Sequence, residues 1–220
     1  MQIVNQMEAQ VYETIKAHYE DCLGQYGPTY KGMDWPVAAD VERRFKVMLE
    51  VLGHDRNEPV SLLDLGCGVG FLIDHLQKHC LGDSIEYTGI DISSKMIKQA
   101  RKRHSNFRFE CRDVLHCQLP EKSVDYIIMN GLLTEKLTLS YPVMEKFAVE
   151  MIKTAYSACT KGIAFNVMSS NVDWCRLDLF HWPLDRAVEL LSKKCTRNMV
   201  FRMDYSLYEY TAYLYREPRI

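Results

Sequence analysis

Apolar residues recur along this chain with two different rhythms. From Gln6 to Leu23 they return at every fourth position, at Val11, Ile15, Tyr19 and Leu23, which predicts an amphipathic helix. A stretch rich in glycine, proline and aromatics follows from Gly24 to Pro36, and helical spacing resumes from Val37 to Leu52, ending at Gly53. Short apolar runs then take over at Val60–Leu65, Ile85–Ile90, Phe107–Cys111, Val124–Met129 and Gly162–Val167, alternating with helical stretches at Val69–His79, Ser94–His104 and Pro142–Cys159. Strands alternating with helices predict an α/β fold, a doubly wound and mostly parallel sheet. The end departs from this rhythm. After a helix around Leu184–Leu191, the β-rich runs Met199–Met203 and Tyr208–Tyr215 lie too close together for anything but an antiparallel hairpin.

Composition narrows the picture. With 220 residues, 47% of them hydrophobic, the chain can bury one α/β core, so a single domain over residues 1–220 is expected, with residues 1–55 as a helical lid or extension within it. A net charge of -2 supplies no field that would draw the protein to nucleic acid or an anionic bilayer. The first twenty residues lack the pattern of a secretory signal, and no run approaches the ~20 apolar residues of a membrane span, so a cytoplasmic location is expected. The eight cysteines are scattered without a Cys-x-x-Cys pair, and no disulfide framework or metal site is expected. His75 and His79 have the helical spacing of metal ligands but lack the glutamate and third ligand of a zinc motif, which favours packing or surface roles.

Candidate chemistry begins at Asp64-Leu65-Gly66-Cys67-Gly68-Val69-Gly70, a glycine turn between a predicted strand and a helix. Such a turn lets a ligand approach the backbone. Its spacing is neither the Gly-x-Gly-x-x-Gly of nicotinamide and flavin proteins nor a phosphate-binding P-loop. Asp91 ends the next strand, where a carboxylate can accept from both hydroxyls of a ribose. Asp113 ends the third, placed to accept from an exocyclic adenine amine.

The stretch Leu62–Leu115, through this loop and Gly89-Ile90-Asp91-Ile92-Ser93-Ser94-Lys95-Met96, resembles the class I S-adenosylmethionine-dependent methyltransferases. The resemblance implies a Rossmann-like, seven-stranded sheet of order 3-2-1-4-5-7-6 with the seventh strand antiparallel. It also implies S-adenosylmethionine as cofactor and S-adenosylhomocysteine as product. In that reading Asp64, Gly66, Cys67 and Gly68 hold the methionine part, Asp91 the ribose, Ile92 and Met96 the adenine faces and Asp113 the adenine amine, with Val114 and Asn130 completing the site. Across its length the chain resembles small stand-alone bacterial methyltransferases of glycan and secondary metabolism.

The acceptor site is expected over the same strand ends, with the aromatic loop as a lid. The turn Asn130–Glu135 lacks the Asn/Asp-Pro-Pro-Tyr/Phe element used on planar amides, and no Pro-Cys dipeptide offers a nucleophile for pyrimidine methylation. A small, possibly anionic metabolite or natural-product intermediate methylated on oxygen is the expected substrate, with nitrogen as the variant. His181 is the candidate base, and Tyr26, Tyr30, Trp35, Arg44, Trp174 and Arg176 are candidate substrate contacts. Aminopropyl transfer would need an acidic channel where Asn130-Gly131-Leu132-Leu133 is neutral, and a cofactor-binding inactive partner subunit is the remaining alternative. A monomer or homodimer is expected.

Overall fold

Each strand of the sheet sends alternate side chains to opposite faces, and this period of two sorts the apolar residues into two clusters. In β1 (Val60–Leu65), Leu63 and Leu65 enter one cluster while Val60 and Leu62 enter the other. β8 (Glu209–Tyr215) does the same, with Tyr210, Ala212 and Leu214 opposed to Tyr213 and Tyr215. The structure, a computed structural model, describes residues 2–53 and 58–219, apart from the side chains of residues 2–10, Tyr12 and Asp83.

The remaining strands are β2 (Ile85–Asp91), β3 (Arg108–Cys111), β4 (Val124–Met129), β5 (Cys159–Ser169), β6 (His181–Trp182) and β7 (Met199–Arg202). Their order is β3-β2-β1-β4-β5-β8-β7, with β8 antiparallel to both neighbours and every other main pairing parallel. With the two-residue β6 set aside, this is the expected order 3-2-1-4-5-7-6. β6 was not foreseen. It pairs in parallel with the end of β5, through Met168 and Ser169. β5 is longer than its apolar run because Cys159 pairs with Val124 of β4 at one end and Ser169 with Trp182 of β6 at the other.

Helices α1 (Gln2–Tyr26), α5 (Tyr141–Ala158) and α6 (Leu184–Lys194) cover one face, and α2 (Ala38–Leu49), α3 (Phe71–Lys78) and α4 (Ser94–Arg103) the other. α1 gives Val11 and Ile15 to the first cluster and Leu23 to the second, so it bridges the two layers. Glu20 of α1 ties it to α4, accepting from the Ser93 hydroxyl at 2.7 Å and pairing with Lys95 at 2.7 Å. Ser93 in turn caps α4 by accepting from the Met96 amide. A short turn, Lys31–Met33, packs back on α1. Within residues 1–55, for which a helical lid or extension is expected, α1 and α2 are helical, while Met1, His54 and Asp55 lie outside the described residues. No helix among the described residues is long and apolar enough to cross a membrane.

Candidate active site

The turn joining β1 to α3 holds three glycines at positive φ, Gly66 at 80°, Gly68 at 53° and Gly70 at 84°. Four of its amides are occupied. Gly66 and Cys67 both donate to the Ile90 carbonyl, Gly68 donates to Asp91 Oδ2 at 2.9 Å, and Gly70 donates to the Cys67 carbonyl. These four amides therefore grip β2 and the turn itself and are not free to cradle a phosphate. Gly68 also sits where a Cβ would stand 2.9 Å from the Met33 sulfur, so a side chain here would push the 31–33 turn away.

Carboxylates dominate what is left. Asp64 is buried and accepts from the Tyr87 hydroxyl at 2.9 Å, yet its carboxyl is pushed up to about 7 by burial, with the Asp91 charge adding to the rise. Asp91 accepts from Gly68 through one oxygen and from the Ser93 amide at 2.8 Å through the other, and burial still raises it above the usual carboxylate range. Asp113 accepts from the Leu115 and His116 amides and pairs with the His116 ring at 2.7 Å. Asn130 is 6% exposed, and neither atom of its amide has a hydrogen-bond partner. A buried amide without a partner costs stability, which marks a place where a ligand supplies one.

These groups face one cleft, which is open to solvent and spans about 1050 Å³ with its open mouth included. Asp64, Gly66, Cys67, Gly68, Asp91, Ile92, Met96, Asp113, Val114 and Asn130 all line it. The far wall comes from the N-terminal segments, with Ile15, Lys16 and Tyr19 of α1, Met33, Trp35, and Phe45 of α2. The Tyr19 hydroxyl donates to the Gly131 carbonyl at 3.3 Å. Gly131, at φ 78°, would carry a Cβ 3.0 Å from the Trp35 ring, so the turn after β4 and the lid meet only through glycine.

Of the expected substrate contacts, only Trp35 lines the cleft. Arg44 is held elsewhere. Its Nε donates to both oxygens of Glu209 at 3.0 Å, and Glu209 accepts from Asn166, whose own oxygen accepts the Gly131 amide at 2.7 Å. This chain from α2 through β8 and β5 supports the turn after β4, because a buried carboxylate needs a partner. Arg176 pairs with Asp178, Tyr30 packs on Phe71 at 4.5 Å, and Tyr26 is exposed. Trp174 lies edge-on to His181 and Tyr208. His181 is engaged at both nitrogens, Nδ1 with the Ser169 carbonyl at 2.7 Å and Nε2 with the Arg176 amide at 3.4 Å, and it does not line the cleft. Ile15, Lys16 and Tyr19 line the cleft beyond the expected contacts, and Ile15 and Tyr19 lie on the α1 stripe that the apolar spacing shows.

A cleft rich in carboxylates, floored by a turn with four of its amides taken and bearing an unpartnered side-chain amide, suits a cationic adenosyl ligand rather than a nucleotide phosphate. The sheet order and the cleft at the carboxyl ends of β1, β2 and β4 define the class I methyltransferase architecture. Residues 62–154 match the family model described as a methyltransferase domain. A candidate methyltransferase of Mycobacterium tuberculosis is 28% identical over 162 residues, 70% of this chain and 92% of that protein. A malonyl-[acyl-carrier protein] O-methyltransferase of Bacillus anthracis is 31% identical over 109 residues, 49% of this chain and 36% of that enzyme, so the chain spans about a third of its length. The magnesium protoporphyrin IX methyltransferase of Synechocystis, solved with S-adenosylhomocysteine, superposes with a TM-score of 0.64 over 94% of this chain and 97% of that one. At 17% identity it shows the fold alone. Residues 62–154 thus match a methyltransferase domain, and the chain has the fold and the relatives of S-adenosylmethionine-dependent methyltransferases.

Proposed function

We propose that this enzyme methylates an oxygen of a small, anionic metabolite or natural-product intermediate, with a carboxylate as the acceptor group. The observation that carries this reading is the lining of the cleft. Among the described residues no histidine faces it, and its N-terminal wall offers Ile15, Tyr19 and Trp35 with one cation, Lys16. An alcohol acceptor needs a base to take its proton. A carboxylate is already ionised and nucleophilic at neutral pH, so it requires only positioning, dehydration and a counter-charge.

The chain's own groups divide that work. Asp91 would hold the ribose hydroxyls, with Ile92, Met96 and Val114 enclosing the adenine and Asp113 accepting from its amine. Asp64 would face the methionine ammonium, and Asn130 would gain the partners it lacks. Bound S-adenosylmethionine supplies an electrophilic methyl group on a sulfonium and leaves as the neutral thioether. Lys16 would balance the acceptor's charge, while Tyr19 and Trp35 exclude water from the reacting oxygen. The O-methyltransferases of malonyl-[acyl-carrier protein] among the relatives support oxygen over nitrogen.

Transfer of a labelled methyl group to a metabolite pool tests the acceptor atom. A methyl ester releases its label as methanol under mild base, whereas methyl ethers and methylamines keep it. Base-labile label is expected. Base-stable label would overturn the carboxylate, and cofactor binding without transfer to any fraction would point to an inactive partner subunit.

A further inference from the structure

Two sets of metal-ligand side chains come together among the described residues, and neither belongs to the cleft's carboxylates. One is Glu42, His75 and His79, where α2 supplies the acid that the spacing of the two histidines lacks. Its carboxylate is already neutralised, with Lys78 Nζ at 3.2 Å, and an incoming cation would meet that ammonium group. The other is His18, Cys22 and Asp34. His18 and Cys22 lie four residues apart on one face of α1, and Asp34 follows the Lys31–Met33 turn in the left-handed region at φ 57°. Among the described residues no lysine or arginine is ion-paired with Asp34.

We propose that His18, Cys22 and Asp34 form a binding site for a divalent transition-metal ion, zinc being the one their donors suit best, which fastens α1 to the loop that carries Trp35. His18 Nε2 lies 2.9 Å from Asp34 Oδ2 and 3.9 Å from Cys22 Sγ, and all three donor atoms lie within 4.8 Å of one another. A tetrahedral zinc with the usual bond lengths sets nitrogen and oxygen ligands about 3.4 Å apart and nitrogen and sulfur about 3.6 Å apart. The observed edges bracket these spacings, so side-chain rotations alone close the triangle. Thiolate, imidazole and carboxylate together are a zinc donor set rather than a calcium or magnesium one.

The local charge points the same way. Asp21 and Glu135 add negative charge near the Cys22 thiol beside that of Asp34. A divalent ion that displaces the thiol proton offsets part of this negative charge. Three protein ligands leave one coordination place, as in sites that keep an exchangeable water. Tyr19, next to His18, and Trp35, next to Asp34, both line the cleft, so the ion would set the spacing of the two walls over the acceptor. The site goes beyond the methyl-transfer reading and stands or falls without it.

Chelator-treated protein titrated with Co2+ alone gives a readout that needs neither cofactor nor acceptor. One equivalent is expected to produce a thiolate-to-cobalt charge-transfer band, displaced by Zn2+. The band should vanish in Cys22→Ser and Cys22→Ala, and Asp34→Asn should weaken binding at least about tenfold, with circular dichroism showing each variant folded. Zn2+ should raise the unfolding temperature of the parent protein and not of Cys22→Ala. No band in the parent, or a band that persists in the folded Cys22 variants, overturns the site. Cobalt binding without a thiolate band that is lost in His79→Ala would also overturn it and move the ion to the α2–α3 cluster.

Discussion

Asp91 Oδ2 accepts the Gly68 amide at 2.9 Å, so the carboxylate at the end of β2 fixes the turn at the end of β1. The same side chain is therefore both a brace for the glycine turn and the acceptor proposed for ribose. Asp91→Ala should weaken S-adenosylhomocysteine binding about ten- to a hundred-fold, the loss of a charged hydrogen bond worth roughly 1.5–3 kcal/mol. Calorimetric titration checks this, and an unchanged affinity would mean the ribose is held elsewhere.

Asn130 separates ligand binding from stability. Its amide has no partner in the described protein, so Asn130→Leu should leave the ligand-free unfolding temperature unchanged or higher. The increase in that temperature on adding S-adenosylhomocysteine should shrink markedly. A full ligand-induced increase in the variant would show that the amide stays outside the cofactor site.

Asp64 gives the cofactor site a pH dependence. Its folded-state carboxyl, raised to about 7 from 3.8, holds a proton that the unfolded chain has already released. Its stabilising share is thus present below the unfolded value and is lost as pH rises towards 7. With Asp64 at the methionine end, as proposed, cofactor binding should respond in the opposite sense, since an ionised carboxylate attracts the ligand's ammonium. Affinity should strengthen from pH 6 to pH 8, and Asp64→Asn should flatten that rise. Equal slopes in the two proteins would remove Asp64 from the methionine end.

Arg44 is expected to matter for folding. Arg44→Ala leaves Glu209, 2% exposed, without its cation, and the usual cost of breaking a buried pair is about 3–5 kcal/mol. Urea unfolding should show most of that loss, and Glu209→Gln placed on the Arg44 variant should recover part of it. A stable Arg44→Ala with impaired turnover would instead return Arg44 to the acceptor site.

The legibility of this molecule follows the range of the interactions involved. The central strands could be read because each buries a continuous apolar run, and the cofactor candidates because Asp64, Asp91 and Asp113 sit where a strand meets a turn. β6 escaped because two residues, His181 and Trp182, carry no period, and only pairing with β5 makes them a strand. Arg44 looked available because its partner Glu209 is 165 residues away, and Arg176 because Asp178 is an ordinary surface neighbour in sequence. Tyr19 registered as one more residue of an apolar stripe, since nothing local shows that the α1 stripe also borders a cleft. The His18–Cys22–Asp34 cluster was hidden because its acid arrives by a turn that folds the loop back on α1.

The central claim is that the cleft holds the adenosyl cofactor, and titration calorimetry of the unmodified protein with S-adenosylhomocysteine tests it most directly. One site of micromolar or tighter affinity, greatly weakened in a folded Asp91→Ala variant, is the expected result. Absence of binding to folded protein at concentrations well above that range would contradict the account.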